Sequence, residues 1–319
     1  MATSTNPSSS RPRNQPKENL GISQRRDTLI IIEPLTGIPS PHNIDLMADT
    51  AFLTDAEFEQ YRNLIYKESG IHFTSTNRSI LESRLKERLR EKGIDSTKNY
   101  FATISGDQGE LKGFLDSITT NLTRFFRNQA QFDALEHFII PELMKIKAGT
   151  GNNIIKMWSA GCSTGEEPYS IAMLLNEILP LPWKYEIVAS DISLKCLMTA
   201  KEGFYAESRI VGIPDAYLKK YCDKVEGGYK VRPEIMSKIR FDYHNLNNDS
   251  GLRNLDIIFC RNVIIYFDEA AQTAVINRFW NSMTSKSFLV IGHSESLFGM
   301  DTKFEFVKTD WSTFYRKFI

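Results

Sequence analysis

The chain has no surplus of charge of either sign: Lys plus Arg and Asp plus Glu number 39 each over 319 residues. That excludes a global field drawing the protein onto nucleic acid or anionic lipid, so any such attraction has to come from local patches. Cysteine is scarce and scattered. Cys162, Cys196, Cys222 and Cys260 are far apart and form no CxxC pair. A zinc site or a disulfide framework is therefore not expected, and reduced thiols in a cytoplasmic protein are. Long apolar runs are missing too: stretches such as Leu29 to Ile32 and Phe288 to Ile291 fall far short of the ~20 residues a membrane span needs. The first residues are polar, without the apolar core of a secretory signal. No internal repeat is visible, and no Ser-His or His-Asp constellation stands near the motifs described below.

What is present is the composition of an ordinary soluble protein, 41% hydrophobic and 24% charged. Residues 1–50 read as a tail. Met1 to about Arg26 is rich in Ser, Asn, Pro and Arg, and such a segment buries too little apolar surface to offset its ordering entropy. Thr28 to Ile32 fits either a docked strand or an unstructured run. Residues 51–120 read as a helical domain. Thr54 followed by Glu57 makes a capping box, and Phe58, Tyr61, Leu64 and Ile65 recur at helical spacing. A second helix is expected over about Asn77 to Lys92, stopped by Gly93. Its polar face carries Arg78, Arg84, Lys86, Arg88, Arg90 and Lys92 against Glu82, Glu87 and Glu91, an ordinary solvated face whose excess of arginine also makes it a candidate surface for an acidic helical partner. Two further helices are expected around Thr97 to Ile104 and Gln108 to Thr119.

From Ile154 the texture changes to short apolar strands alternating with helical stretches, the pattern of βαβ units and a mostly parallel sheet. Strands are expected at Ile154–Trp158, Tyr185–Ser190, Ile239–Tyr243, Leu255–Cys260 and Phe288–Gly292, with a final antiparallel pair near Phe304–Lys308 and Thr313–Lys317. Residues 203–240 break the pattern, and Val225 to Val231 suggests an inserted hairpin with a Gly-Gly turn. The fold class predicted is α/β: a Rossmann-like sheet over residues 121–319, a small antiparallel β-insertion and an N-terminal helical domain.

The densest motif is Met157-Trp-Ser-Ala-Gly-Cys-Ser-Thr-Gly-Glu-Glu-Pro-Tyr-Ser-Ile-Ala172, a strand running through a small-residue loop into a helix. Gly161 and Gly165 allow the close backbone approach a nucleotide-type cofactor needs. The loop is neither GxGxxG nor a P-loop, and Glu166 and Glu167 stand where a phosphate would need amides and cations. A cofactor with a cationic centre fits better. Next comes a strand ending in Asp191, where an acid commonly accepts hydrogen bonds from ribose hydroxyls and could equally cap the following helix. Loop and acid alone leave an NAD-type Rossmann oxidoreductase open. Two polar-aromatic clusters complete the set: Asn121-Leu-Thr-Arg-Phe-Phe-Arg127 before the sheet, and Phe259-Cys-Arg-Asn-Val-Ile-Ile-Tyr-Phe267 at the end of a central strand.

These segments, with Asn245-Leu246 and Gly292-His-Ser-Glu-Ser-Leu297, occur in the order found in the CheR-type chemotaxis protein methyltransferases, which the sequence resembles from about Phe52 to Ile319. Asn128 and Cys222 depart from the family pattern, where an acid and an aromatic are common. The resemblance implies transfer of the methyl group of S-adenosylmethionine to glutamate carboxylates of a chemoreceptor. By it, Asn121, Thr123, Arg127, Glu167, Asp191, Asn245, Leu246, Arg261 and Asn262 surround the cofactor, and Arg127 and Tyr266 flank the methyl-transfer point. Acidic Glu167 would favour a cationic donor, and His293 is expected to pack or hydrogen-bond rather than act as a base. The helix at 77–92 and the β-insertion would contact the receptor's cytoplasmic domain. A methyltransferase-like module that binds cofactor and docks a signalling partner without catalysis is the alternative.

Overall fold

The computed structural model describes residues 52–319, and the tail with its Thr28–Ile32 run lies outside the described residues. The chain starts with four helices: α1 (Asp55–Ser69), α2 (Arg78–Lys92), α3 (Thr97–Gly106) and α4 (Gln108–Ile118). The capping box at Thr54 is formed: the Glu57 amide donates to Thr54 Oγ1 at 3.2 Å and the Thr54 amide to Glu57 Oε2 at 2.9 Å. Gly93 stops α2 in the left-handed conformation, as expected. Leu81 and Leu85 of α2 meet Phe58 and Tyr61 of α1, Tyr100 of α3 and Phe114 of α4 in one apolar core. Each such side chain contributes about 1.5–3 kcal/mol on burial.

The cations of α2 mostly face inward obligations rather than a partner. Arg78 pairs with Asp55 and Glu82, Arg84 with Glu87, Arg88 with Glu110 and Glu91, and Lys92 with Glu110. Lys86 lies over the Phe52 ring, 4.7 Å from its centroid. Arg90 alone of the six has neither an ion pair nor a ring contact among the described residues. The net basic character read from the sequence is therefore largely neutralised by acids on α1, α2 and α4.

A helical segment follows, α5 (Gln129–Ala134) running through a π-turn into α6 (Ile140–Lys147). Next come β1 (Ile154–Ala160), α7 (Glu166–Ile178), β2 (Lys184–Asp191) and α8 (Leu194–Glu202). The insertion holds β3 (Phe204–Ala206), α9 (Asp215–Tyr221), β4 (Cys222–Val225), β5 (Gly228–Val231) and α10 (Pro233–Met236). The chain closes with β6 (Ile239–Tyr243), β7 (Leu255–Cys260), α11 (Glu269–Ser282), β8 (Met283–Ile291), β9 (Glu305–Lys308) and β10 (Thr313–Lys317). Among the described residues no helix is long and apolar enough to cross a membrane.

The seven-stranded sheet runs β6-β2-β1-β7-β8-β10-β9, parallel from β6 to β8 and antiparallel at β10 and β9. Every residue of β7 is buried, as a central parallel strand covered on both faces must be. Phe132, Leu143 and Ile171 pack on one face and Val275, Ile276 and Phe279 on the other. The α/β architecture is the one expected. The insertion is richer than a hairpin, with strand order β3-β5-β4. Its turn is Glu226-Gly227, not Gly-Gly. Gly228 pairs with Val225 inside the ladder, and a Cβ there would sit 2.2 Å from the Tyr205 carbonyl oxygen. The glycine is needed for the approach of β3, which periodicity over three residues did not reveal.

The sheet order reverses direction of growth at β1, whose neighbours are β2 and β7, so a crevice opens beyond the carboxyl ends of these strands. The helical layer closes that crevice. The His72 amide donates to the Tyr266 carbonyl at 2.8 Å, Ile71 bridges Phe267, and Asn245 Nδ2 donates to the Glu68 carbonyl at 2.6 Å.

Candidate active site

The crevice encloses about 1310 Å³ including its open mouth. The ten residues singled out in the sequence all line it. Asn121, Thr123 and Arg127 come from the loop after α4, Glu167 from the start of α7, and Asp191 from the end of β2. Asn245 and Leu246 follow β6, while Arg261, Asn262 and Tyr266 follow β7.

Asp191 sits deep. Its Oδ2 accepts from the Ser163 amide at 2.7 Å and its Oδ1 from the Ser193 amide at 2.9 Å. Burial pushes its carboxyl above the usual range, and those amides pull it back in part. Each oxygen keeps acceptor capacity for a ligand hydroxyl. Beside it the turn after β1 requires Gly161: its φ is +81°, and a Cβ would meet a Val263 methyl at 2.4 Å. The apolar Ile192 and Leu246 offer flat, dry contact nearby. An acceptor acid, a side-chain-free turn and apolar walls fit the ribose and adenine of S-adenosylmethionine.

Glu167 does not carry a free charge. One oxygen accepts from Ser159 Oγ at 2.7 Å and the other from Arg261 Nε at 2.7 Å. The Arg261 guanidinium, only 3% exposed, also donates to the Arg127 carbonyl at 2.6 Å and to Gln131 Oε1 at 2.8 Å. Gln131 in turn donates to the Ile291 carbonyl at 2.6 Å. The expectation that Glu167 would attract a cationic donor is therefore revised: its charge is matched by Arg261 within the wall. The pair instead ties α7, the Arg127 loop and the end of β8 into one rigid unit.

Strained backbone is concentrated here. Of the six non-glycine residues with positive φ among those described, Ser163 and Asn262 line the crevice, and Phe126 and Asn128 flank Arg127. For Phe126 and Ser163 such conformations cost of order 1–3 kcal/mol each and persist where the surroundings enforce them. Phe126 is held by its amide donating to Ser170 Oγ at 2.9 Å. At φ +65° Asn128 is a residue type that tolerates the left-handed region.

Other residues of the crevice gave no signal in the sequence. Ile71, His72 and Phe73 reach it from the helical layer, and nothing in the periodicity of α1 indicates that its exit loop covers a cofactor site. His244, whose imidazole burial biases toward the neutral form, lies against Trp158 with ring centroids 5.7 Å apart. Cys162 lines the crevice too, and burial, with Asp191 and Glu167 adding to the effect, pushes its thiol well up, toward the protonated form. His293 is exposed and lies outside the crevice.

Comparison with known proteins bears on the same two layers. Residues 56–119 match the family model described as the CheR methyltransferase all-alpha domain, and residues 121–313 match the CheR methyltransferase SAM binding domain. A chemotaxis protein methyltransferase of Borreliella burgdorferi is 36% identical over 256 residues, covering 77% of this chain and 90% of that protein. The chemotaxis protein methyltransferase of Escherichia coli is 33% identical over 267 residues, covering 81% and 90%. Chemotaxis protein methyltransferase 2 of Vibrio cholerae is 32% identical over 275 residues, covering 83% and 94%.

Proposed function

The chain belongs to the CheR methyltransferase family, and on that premise we propose that it esterifies glutamate side chains of a chemoreceptor. Dependence on S-adenosylmethionine and a role in chemotaxis come with the family itself. The protein substrate and the residue roles are the proposal. The observation carrying it is a single crevice that combines a buried ribose-type acid, a pinned arginine and a tyrosine, with an apolar rim. Ile80, Leu122 and Ile265 line the mouth while being 50%, 78% and 48% exposed, a surface suited to a protein segment rather than a small polar metabolite.

Bound S-adenosylmethionine supplies an electrophilic methyl group on a sulfonium. A glutamate carboxylate, with a reference pKa of about 4.3, is already ionised at neutral pH and needs no general base. The task left to the protein is alignment, which can supply about 7–11 kcal/mol. In this reading Asp191 accepts the ribose hydroxyls, Asn121, Thr123, Asn245, Leu246 and Asn262 line the cofactor, and Glu167 and Arg261 hold the wall. Arg127 steers the incoming carboxylate and Tyr266 orients it by a hydrogen bond. A tight ion pair would stabilise the nucleophile's ground state, so orientation rather than neutralisation is the expected contribution of Arg127. Receptor contact would draw on Arg90 and Lys86 of α2 and on the sheet β3-β5-β4.

The test is methyl transfer from radiolabelled S-adenosylmethionine to receptor-containing membranes, followed by base treatment. Base-labile label on receptor glutamates is the expected result. Cofactor binding without transfer would favour a docking module instead. Asp191→Ala is expected to weaken S-adenosylmethionine binding by about 10–100-fold, the loss of charge-assisted hydrogen bonds, as read by titration calorimetry. Unchanged affinity would remove Asp191 from the ribose role.

A further inference from the structure

Glu295, in the segment after β8, has no part in the roles above, yet its carboxylate gathers four backbone amides. Oε2 accepts from Gly292 at 2.5 Å and Asn262 at 2.8 Å, and Oε1 accepts from Val263 at 3.0 Å and Ile265 at 3.3 Å. Three of these donors belong to the loop that carries Arg261, Asn262 and Tyr266. The carboxylate stands at the start of the 3-10 turn Ile264–Tyr266, where amides lack intrahelical partners and a negative charge is favoured.

The surroundings are shaped for this contact. Gly292 leaves the space it needs: a Cβ there would lie 2.6 Å from Glu295 Oε2 and 2.9 Å from the Asn262 nitrogen. Asn262 adopts φ +59°, in the left-handed region that asparagine tolerates, and its amide is one of those the carboxylate holds. On its other side the loop is tied to the helical layer through the Tyr266 carbonyl and the His72 amide. The turn bearing Tyr266 is thus gripped at its start by Glu295 and at its end by the exit loop of α1.

We infer that Glu295 is a positioning residue for methyl transfer, its carboxylate fixing the Asn262–Tyr266 turn so that Tyr266 is presented to the substrate. The inference rests on the role proposed for Tyr266. Both oxygens each serve two amides, so a glutamine is not a neutral replacement. Whichever way its amide turns, an NH₂ group opposes two backbone N–H donors. Aspartate keeps the charge and both oxygens but withdraws them by one methylene.

The experiment uses the full chain with Glu295→Gln and Glu295→Asp, measuring kcat, receptor KM, S-adenosylmethionine affinity and amide hydrogen exchange. Glu295→Gln is expected to lower kcat by about 10²-fold, the cost of a misplacement near 1 Å, with receptor KM within about threefold and cofactor affinity, which Asn262 also serves, falling by no more than about tenfold. Exchange should quicken at Asn262, Val263 and Ile265 while β7 and β8 stay protected. Glu295→Asp should recover to within about tenfold of the natural protein. A kcat that stays near the natural value in Glu295→Gln overturns the inference. So does a loss of kcat matched by equal losses of cofactor affinity and of protection throughout β7 and β8, which is the mark of a merely structural residue. Should Glu295→Gln fail to fold, exchange in Glu295→Asp decides: faster exchange at Asn262, Val263 and Ile265 with β7 and β8 protected supports the inference, and unchanged exchange at those three amides overturns it. If the natural protein transfers no methyl to receptor, the proposed function fails. The exchange measurement still decides whether Glu295 holds the turn.

Discussion

Arg127→Ala is expected to lower methyl transfer to receptor by about 10²–10³-fold while S-adenosylmethionine affinity changes by about threefold or less. The size of the kinetic effect follows from how firmly this side chain is placed. Left-handed residues bracket it on both sides, Phe126 at φ +48° and Asn128 at φ +65°. Its carbonyl is held by Arg261, and its own Nη1 donates to the Leu122 carbonyl at 2.8 Å. That contact uses one nitrogen of the guanidinium fork, and Arg127, half-buried, lines the crevice. Arg127→Lys keeps the charge and loses the fork, so it should fall between the natural protein and the alanine variant. Single-turnover kinetics paired with calorimetry separate the two quantities. Equal losses of rate and affinity would make Arg127 a cofactor ligand rather than a residue that orients the substrate.

The sequence made the sheet and the crevice legible because both rest on local signals. β1 with its glycine turn, the acid ending β2 and the polar-aromatic run after β7 are contiguous words, and parallel topology brings strand ends together without further information. The helical layer was legible for the same reason, down to the capping box at Thr54. What was hidden depends on partners far apart in the chain. The charge of Glu167 looked available until Arg261, 94 residues on, was found beside it. The cations of α2 could be set against Glu82, Glu87 and Glu91 of the same helix, but not against Glu110 on α4 and Asp55 on α1, which also face them. Glu295 stood inside a recognised motif, but its work is done on amides 30 to 33 residues away. The β-insertion was underestimated because β3 is three residues long, too short for alternation to register.

Arg261→Ala is the substitution expected to cost the fold most. It removes the partner of a carboxylate that is itself only 11% exposed, and it leaves Gln131 Oε1 and the Arg127 carbonyl without donors. Breaking a buried pair from one side typically costs about 3–5 kcal/mol, because the remaining charge is stranded. For a domain of this size each kcal/mol moves the melting temperature by about 2–4 °C, so thermal unfolding should fall by roughly 6–20 °C. Arg261→Met combined with Glu167→Gln removes both charges and keeps most of the volume, and a pair replaced together is often close to neutral for stability. The double variant is therefore expected to recover most of the melting temperature. It should not recover methyl transfer, because methionine cannot donate to the Arg127 carbonyl. Recovery of activity together with stability would mean that Arg261 serves the fold alone. Recovery of stability without activity would mean that the guanidinium sets the Arg127 loop, and that the ion pair is kept for positioning rather than for its contribution to folding.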